Sequence, residues 1–177
     1  MSRDFYELCY DQYKTELDEA DKLYQKVGVM LIVLPVLSSV VVKLGRVDLF
    51  GQLFTRVDVF IYYLASCLSL LLIAVSIVFT ILCAYPRKYK RIGDLVGWQD
   101  WKERYEKYIK EIKANETVGE VMMKDICPRL ADAQTKNAPI NEKRRKYFQK
   151  SVLTASLATA SIAIQALFYL FLKIQGV

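Results

Sequence analysis

Residues 59–84 read VFIYYLASCLSLLLIAVSIVFTILCA and carry no charged side chain. A bilayer core about 30 Å thick takes roughly 20 apolar helical residues, so this run spans it with some tilt. Within it Ser66, Ser69, Ser76, Thr80 and Cys83 recur at steps of three, four and seven, which puts them on one face of a helix. The pattern predicts a membrane helix with one face to lipid and one to other helices, in an integral membrane protein.

Working outward, the run 27–42 is uncharged and near the short limit for a span. Lys26 and Lys43 flank it and can snorkel to the interfaces. Pro35 removes one helical hydrogen bond and predicts a kink. The connection 44–58 is short, so the first two spans form an antiparallel hairpin, with Phe50 and Phe54 expected to dip into the headgroups. Residues 151–172 are again uncharged and long enough to cross, small in the first half and bulky in the second. The predicted fold class is an all-α integral membrane protein, three transmembrane helices with amphipathic cytoplasmic helices. Its parts are a cytoplasmic amphipathic helix at 1–26, a transmembrane hairpin at 27–84, a basic helical segment at 85–150 and a third transmembrane helix at 151–177.

In the first part Tyr6, Tyr10, Tyr13, Leu17, Ala20, Tyr24 and Val27 alternate at steps of four and three, a heptad-like stripe among acids. With no Gly or Pro cluster after it, this helix can run straight into the membrane. In the basic segment a second amphipathic helix is expected over 98–114, striped by Trp98, Trp101, Tyr105, Tyr108 and Ile112 and supported by Glu103–Lys107 and Glu106–Lys110 pairs. Thr117 and Glu120 form a capping box for a short helix reaching Cys127, with Pro128 near its end. Residues 131–141 read as a loop, and a last helix begins near Asn141. These cytosolic helices pack on one another or on a second subunit; Tyr6, Tyr13, Leu17, Tyr24, Trp101 and Tyr105 are the candidate oligomer interface.

The 177 residues hold 25 Lys and Arg against 19 acids, and no histidine. Ser-His and Cys-His catalysis and the commonest metal ligand are therefore out. The four cysteines make no CxxC or zinc spacing, and the acidic N-terminus is unlike a cleaved signal peptide. No phosphate loop, nucleophile motif or catalytic carboxylate pair is present, so neither an enzyme nor a bound cofactor or metal is expected.

Charge sets orientation. Residues 85–150 hold 17 Lys and Arg against 10 acids, clustered at both membrane ends. The expectation is an inner-membrane protein with its N-terminus cytoplasmic and its C-terminus external. The two basic collars, Arg87, Lys88, Lys90 and Arg91 with Lys143, Arg144, Arg145 and Lys146, are either an anionic-lipid anchor or the site of a nucleotide or oligonucleotide, with Tyr89, Trp98, Trp101 and Tyr147 available for stacking. Along the third span Ser151, Thr154, Ala158, Ser161, Gln165 and Tyr169 share a face, either a packing face or the lining of a pore.

An acidic amphipathic first helix, a tight two-span hairpin and an aromatic-rich cytoplasmic helix, over about residues 5–115, resemble the SLATT family of small bacterial membrane effectors. The resemblance implies nucleotide-signalled antiphage defence and a pore that damages the inner membrane; the third span is additional to the two-span pattern. The expected function is a homo-oligomeric, signal-gated pore or channel. The alternative is a non-conducting membrane subunit that recruits a soluble signalling partner through its amphipathic helices.

Overall fold

The structure is a computed structural model and describes residues 3–45, 56–92, 95–112 and 117–175. Among these the chain is four helices without a strand: α1 (Arg3–Leu44), α2 (Val57–Ala84), α3 (Leu95–Ile112) and α4 (Val118–Ile174). Three of them, α1, α2 and α4, have a stretch long and apolar enough to cross a membrane.

Two compact units divide the chain, one of Met1–Lys22 with Pro86–Glu142 and one of Leu23–Tyr85 with Lys143–Val177. In the first, Cys9 and Tyr13 of α1 pack with Ile126, Cys127, Leu130 and Ala133 of α4; Tyr6, Leu17, Ile92, Trp101 and Met122 close the cluster. In the second, Met30, Leu34 and Val41 of α1 meet Ile73 of α2 and Ala155, Ala158 and Ile162 of α4. A further cluster joins Val59 and Tyr62 to Leu172.

The inward face of each long helix has one period. On α2 the buried residues Val59, Tyr62, Ser66, Ser69, Ile73, Ser76, Thr80 and Cys83 alternate at steps of three and four. On α1 Cys9, Tyr13, Ala20, Leu23, Val27, Met30 and Leu34 are carried inward at steps of three and four, with one step of seven from Tyr13 to Ala20. On α4 a step of seven runs through Leu130, Asn137, Arg144, Ser151, Ala158, Gln165 and Leu172, none more than 2% exposed. A mean spacing of three and a half keeps one seam facing its neighbours. The outward residues of the spans, such as Ile32, Leu64, Leu71, Leu153 and Leu167, are exposed and aliphatic, as a lipid face requires.

Several expectations shift. The α1 stripe includes Cys9 and Leu23; Tyr10 and Tyr24 lie beside it and stay exposed. The expected helix end near Pro128, loop at 131–141 and new start at Asn141 are one helix instead, because α4 continues through Pro128 and Pro139. Tertiary contacts reverse the local signal. Asn137 accepts the Lys90 backbone N–H (2.9 Å) and donates to the Lys90 carbonyl (3.0 Å), so its side chain is engaged away from its own backbone. Asn141 donates to the Glu16 carbonyl and carboxylate and accepts the Tyr89 hydroxyl. Asp132 and Lys136 add an ion pair along the same stretch. On α3 the lysine–glutamate rungs within reach are Lys102–Glu106 and Lys107–Glu111, both exposed and so of little energetic weight.

The capping box forms as read. Glu120 N–H donates to the Thr117 hydroxyl (3.3 Å), while the Thr117 N–H donates to the Glu120 carboxylate (2.9 Å), which holds that carboxyl below its usual range. α1 runs from the acidic segment into the first span without a break and continues through Pro35. At the other end of the hairpin, α2 stops where Tyr85 turns extended before Pro86. The expected headgroup contacts of Phe50 and Phe54 and the Trp98 and Ile112 side chains lie outside the described residues.

Candidate functional site

Two features concentrate polar chemistry, one in each unit. In the unit of Leu23–Tyr85 with Lys143–Val177, the small polar face of α2 meets α4. The Ser76 hydroxyl donates to the Ser151 carbonyl (2.8 Å), and the Ser151 hydroxyl donates to the Ser76 carbonyl (3.1 Å). Thr80 and Ser151 share a hydroxyl contact of 2.7 Å, and Ser161 donates to the Ala65 carbonyl at 2.9 Å. Rising α2 numbers meet falling α4 numbers, so the two helices are antiparallel. Between helices in lipid, small side chains and such bonds supply most of the specific attraction. The Ser66–Cys83 stripe and the third-span face are thus the two sides of one seam.

Of the residues expected to line a pore, Ser151, Ala158, Ser161 and Gln165 are buried in this seam. Thr154 is half-buried and bonds back to the Lys150 and Ser151 carbonyls. Tyr169 packs with Val59, Tyr62 and Leu172. Gln165 is wholly buried and neither atom of its amide makes a hydrogen bond; Tyr62, whose hydroxyl donates to the Leu44 carbonyl, is close by.

The basic collars are divided between the units, Arg87, Lys88, Lys90 and Arg91 in one and Lys143, Arg144, Arg145 and Lys146 in the other. Lys90 pairs with Asp132 in one unit. Arg144, 1% exposed, donates to the Cys83 carbonyl (2.8 Å) and lies over the Tyr24 ring at 4.2 Å. It thereby satisfies one of the last carbonyls of α2, where a cation is also favoured by the helix dipole. Arg87 is half-buried, whereas Lys88, Arg91, Lys143, Arg145 and Lys146 are exposed.

In the unit of Met1–Lys22 with Pro86–Glu142, α3 and α4 enclose an open cleft of about 430 Å³ lined by Trp101, Arg104, Tyr105, Tyr108, Asp125 and Arg129. That is within the range of small-ligand sites. Arg129 lies over the Trp101 ring at 4.4 Å and pairs with Asp125 at 3.1 Å. Tyr105 donates to Asp125 at 2.5 Å. That bond and Arg129 hold the Asp125 carboxyl below its usual range, while burial and Asp125 push the Tyr105 hydroxyl up. Aromatic faces beside two guanidinium groups suit a planar anion. The sequence reading had Trp101 and Tyr105 in an interface stripe; Arg104, Asp125 and Arg129 carried no signal, because a cleft between two helices leaves no spacing in either. Of the remaining interface candidates, Tyr6, Tyr13 and Leu17 pack inside this unit, and Tyr24, in the other unit, is exposed and lies against Arg144.

A family model described as the Pycsar effector protein domain, PycTM, matches residues 9–172. The chain belongs to the PycTM family. It is thus a membrane effector of bacterial antiphage defence. The SLATT resemblance pointed to the same kind of bacterial antiphage effector under another family name. The third span, additional to the two-span pattern, falls largely inside the PycTM match. No curated protein and no solved structure matches the chain.

Proposed function

We propose that this PycTM chain is a homo-oligomeric, signal-gated pore of the inner membrane, opened by an anionic nucleotide or oligonucleotide on its cytoplasmic side. The observation that carries the reading is the basic and aromatic cleft of Trp101, Arg104, Tyr105 and Arg129, large enough for a nucleotide. Two of its residues, Asp125 and Arg129, stand on α4, which also supplies Ser151, Ser161 and Gln165 to the membrane seam. Positive charge between 85 and 150 favours a cytoplasmic N-terminus and an external C-terminus. In the closed chain the polar faces of α2 and α4 are spent on each other, so conduction needs the two helices to part. Activation is then a population shift set by the difference in signal affinity between closed and open states, with no catalytic step and no cofactor. The exposed collar cations Lys88, Arg91, Lys143, Arg145 and Lys146 hold to anionic headgroups, at about 1 kcal/mol each.

Potassium efflux from vesicles of phosphatidylethanolamine and phosphatidylglycerol, carrying the full chain, tests this. Linear and cyclic mononucleotides and short oligonucleotides are added from the cleft side. At least one is expected to trigger efflux, and Arg104→Glu with Arg129→Glu to abolish it while insertion persists. No efflux with any of them, or efflux indifferent to the charge reversal, would overturn the reading.

A further inference from the structure

Gln165 lies near the middle of the third span, fully buried, with neither amide atom in a well-formed hydrogen bond and the Tyr62 hydroxyl as its polar neighbour. A primary amide offers two N–H donors and an acceptor oxygen, and hydrocarbon supplies no partner for them. Along the same seam the Ser76, Thr80, Ser151 and Ser161 hydroxyls are paired. Ser151 bonds to Ser76 and Thr80, and Ser161 to the Ala65 carbonyl. An interface meant only to hold two helices together would gain from an aliphatic side chain at 165.

We propose that the α2–α4 seam is a latent water and ion path, latched shut by Ser151, with Gln165 as the point where water enters. The proposal rests on the pore reading and deepens it by naming the path and its latch. When α2 and α4 part, each hydroxyl released from its partner is an unmet donor and acceptor that water satisfies. Gln165 gains bonds it lacks in the closed chain. Hydration therefore offsets the loss of interhelical bonds, which a purely aliphatic seam of equal size could not achieve. Small side chains at Ala155, Ala158 and Ser161 leave room for water once the helices separate.

The test uses the full chain in the same vesicles, with Cys9, Cys67, Cys83 and Cys127 changed to Ala. Ser151→Ala removes the latch and is expected to raise nucleotide-independent potassium leak roughly tenfold, the shift that goes with losing two or three interhelical bonds. Adding Ala65→Cys with Ser161→Cys, at a bonded contact of the seam, should suppress that leak on oxidation and restore it with dithiothreitol. As a second readout, Gln165→Leu should lower the leak of Ser151→Ala. Leak that persists through a complete disulfide, or that ignores Gln165→Leu, overturns the seam as the path. If a nucleotide opens the unsubstituted chain while Ser151→Ala alone stays tight, the latch fails and the pore reading stands. If neither nucleotide nor variant conducts, both fail.

Discussion

The guanidinium of Arg144 reaches the carbonyl of Cys83 across 2.8 Å, joining a buried arginine on α4 to the last turn of α2. The Tyr24 ring of α1 lies against the same guanidinium. One side chain therefore ties the three membrane helices at one end. Arg144→Met should lower stability by about 2–4 kcal/mol, from a charged hydrogen bond and a desolvated cation–π contact. Arg144→Lys should recover only part of this, since an ammonium neither stacks flat nor forks. Thermal unfolding in detergent, followed by circular dichroism, checks the order; equal midpoints for all three chains would refute it. Arg145→Glu, on an exposed residue, should leave the midpoint unchanged.

Asn137 brackets the Lys90 peptide, one bond to its N–H and one to its carbonyl. Asn137→Leu leaves both backbone groups unpaired, a loss of about 1–3 kcal/mol for each that stays buried. Trypsin cleavage within Arg87, Lys88, Lys90 and Arg91 should speed up by roughly tenfold or more as that segment opens. Cleavage at the unsubstituted rate would show that the bracket does not hold the segment.

The register of α1 separates neighbours. Cys9 is buried against Cys127, Ile126 and Leu130, whereas Tyr10 is exposed and stacks on Tyr6. Cys9→Asp should lower the stability of this unit by several kcal/mol, as an unpaired buried carboxylate does. Tyr10→Asp should lower it by less than about 1 kcal/mol, as surface changes usually do. Comparable losses for the two would place the stripe where the sequence alone put it.

Asp125 gives a pH signature. Its folded carboxyl is held below the usual range, first by the Tyr105 hydroxyl and then by Arg129. A depressed folded value means its contribution is present above the unfolded carboxylate pKa and is lost as pH falls through the folded one. Tyr105→Phe should raise the Asp125 titration toward the ordinary range and move that loss to higher pH. Carbon-13 carboxyl NMR of the full chain in detergent reads this directly, and an unmoved titration would rule out the bond.

Sidedness is testable with added thiols. Cys9 and Cys127 are buried, so their silence to a reagent says nothing about topology. In a chain without native cysteines, an impermeant maleimide outside intact cells should label Val57→Cys and spare Lys107→Cys, both at exposed positions. Labelling of the second and not the first would invert the orientation.

What the sequence determined alone is what depends on composition and local period. Uncharged runs of about 20 residues fixed three spans, because a run of that length crosses lipid as a helix that satisfies its own backbone. The Ser66–Cys83 spacing fixed the inward face of α2, and Thr117 with Glu120 fixed a helix start, since a capping box closes within four residues. Tertiary structure decided what polar side chains do over distance. Residues 131–141 look like a loop because Asn and Pro break helices locally. They are helical because Asn137 and Asn141 are occupied by Lys90, Glu16 and Tyr89 from remote segments. The seven-residue repeat of α4 was legible only from Ser151 to Gln165, because Asn137 and Arg144, which carry it back to Leu130, are polar and apolar periodicity is blind to them. Arg144 looked like a collar charge until the end of α2 supplied a carbonyl for it. The cleft of Arg104, Asp125 and Arg129 exists only where α3 meets α4, a distance in space that no spacing along the chain encodes.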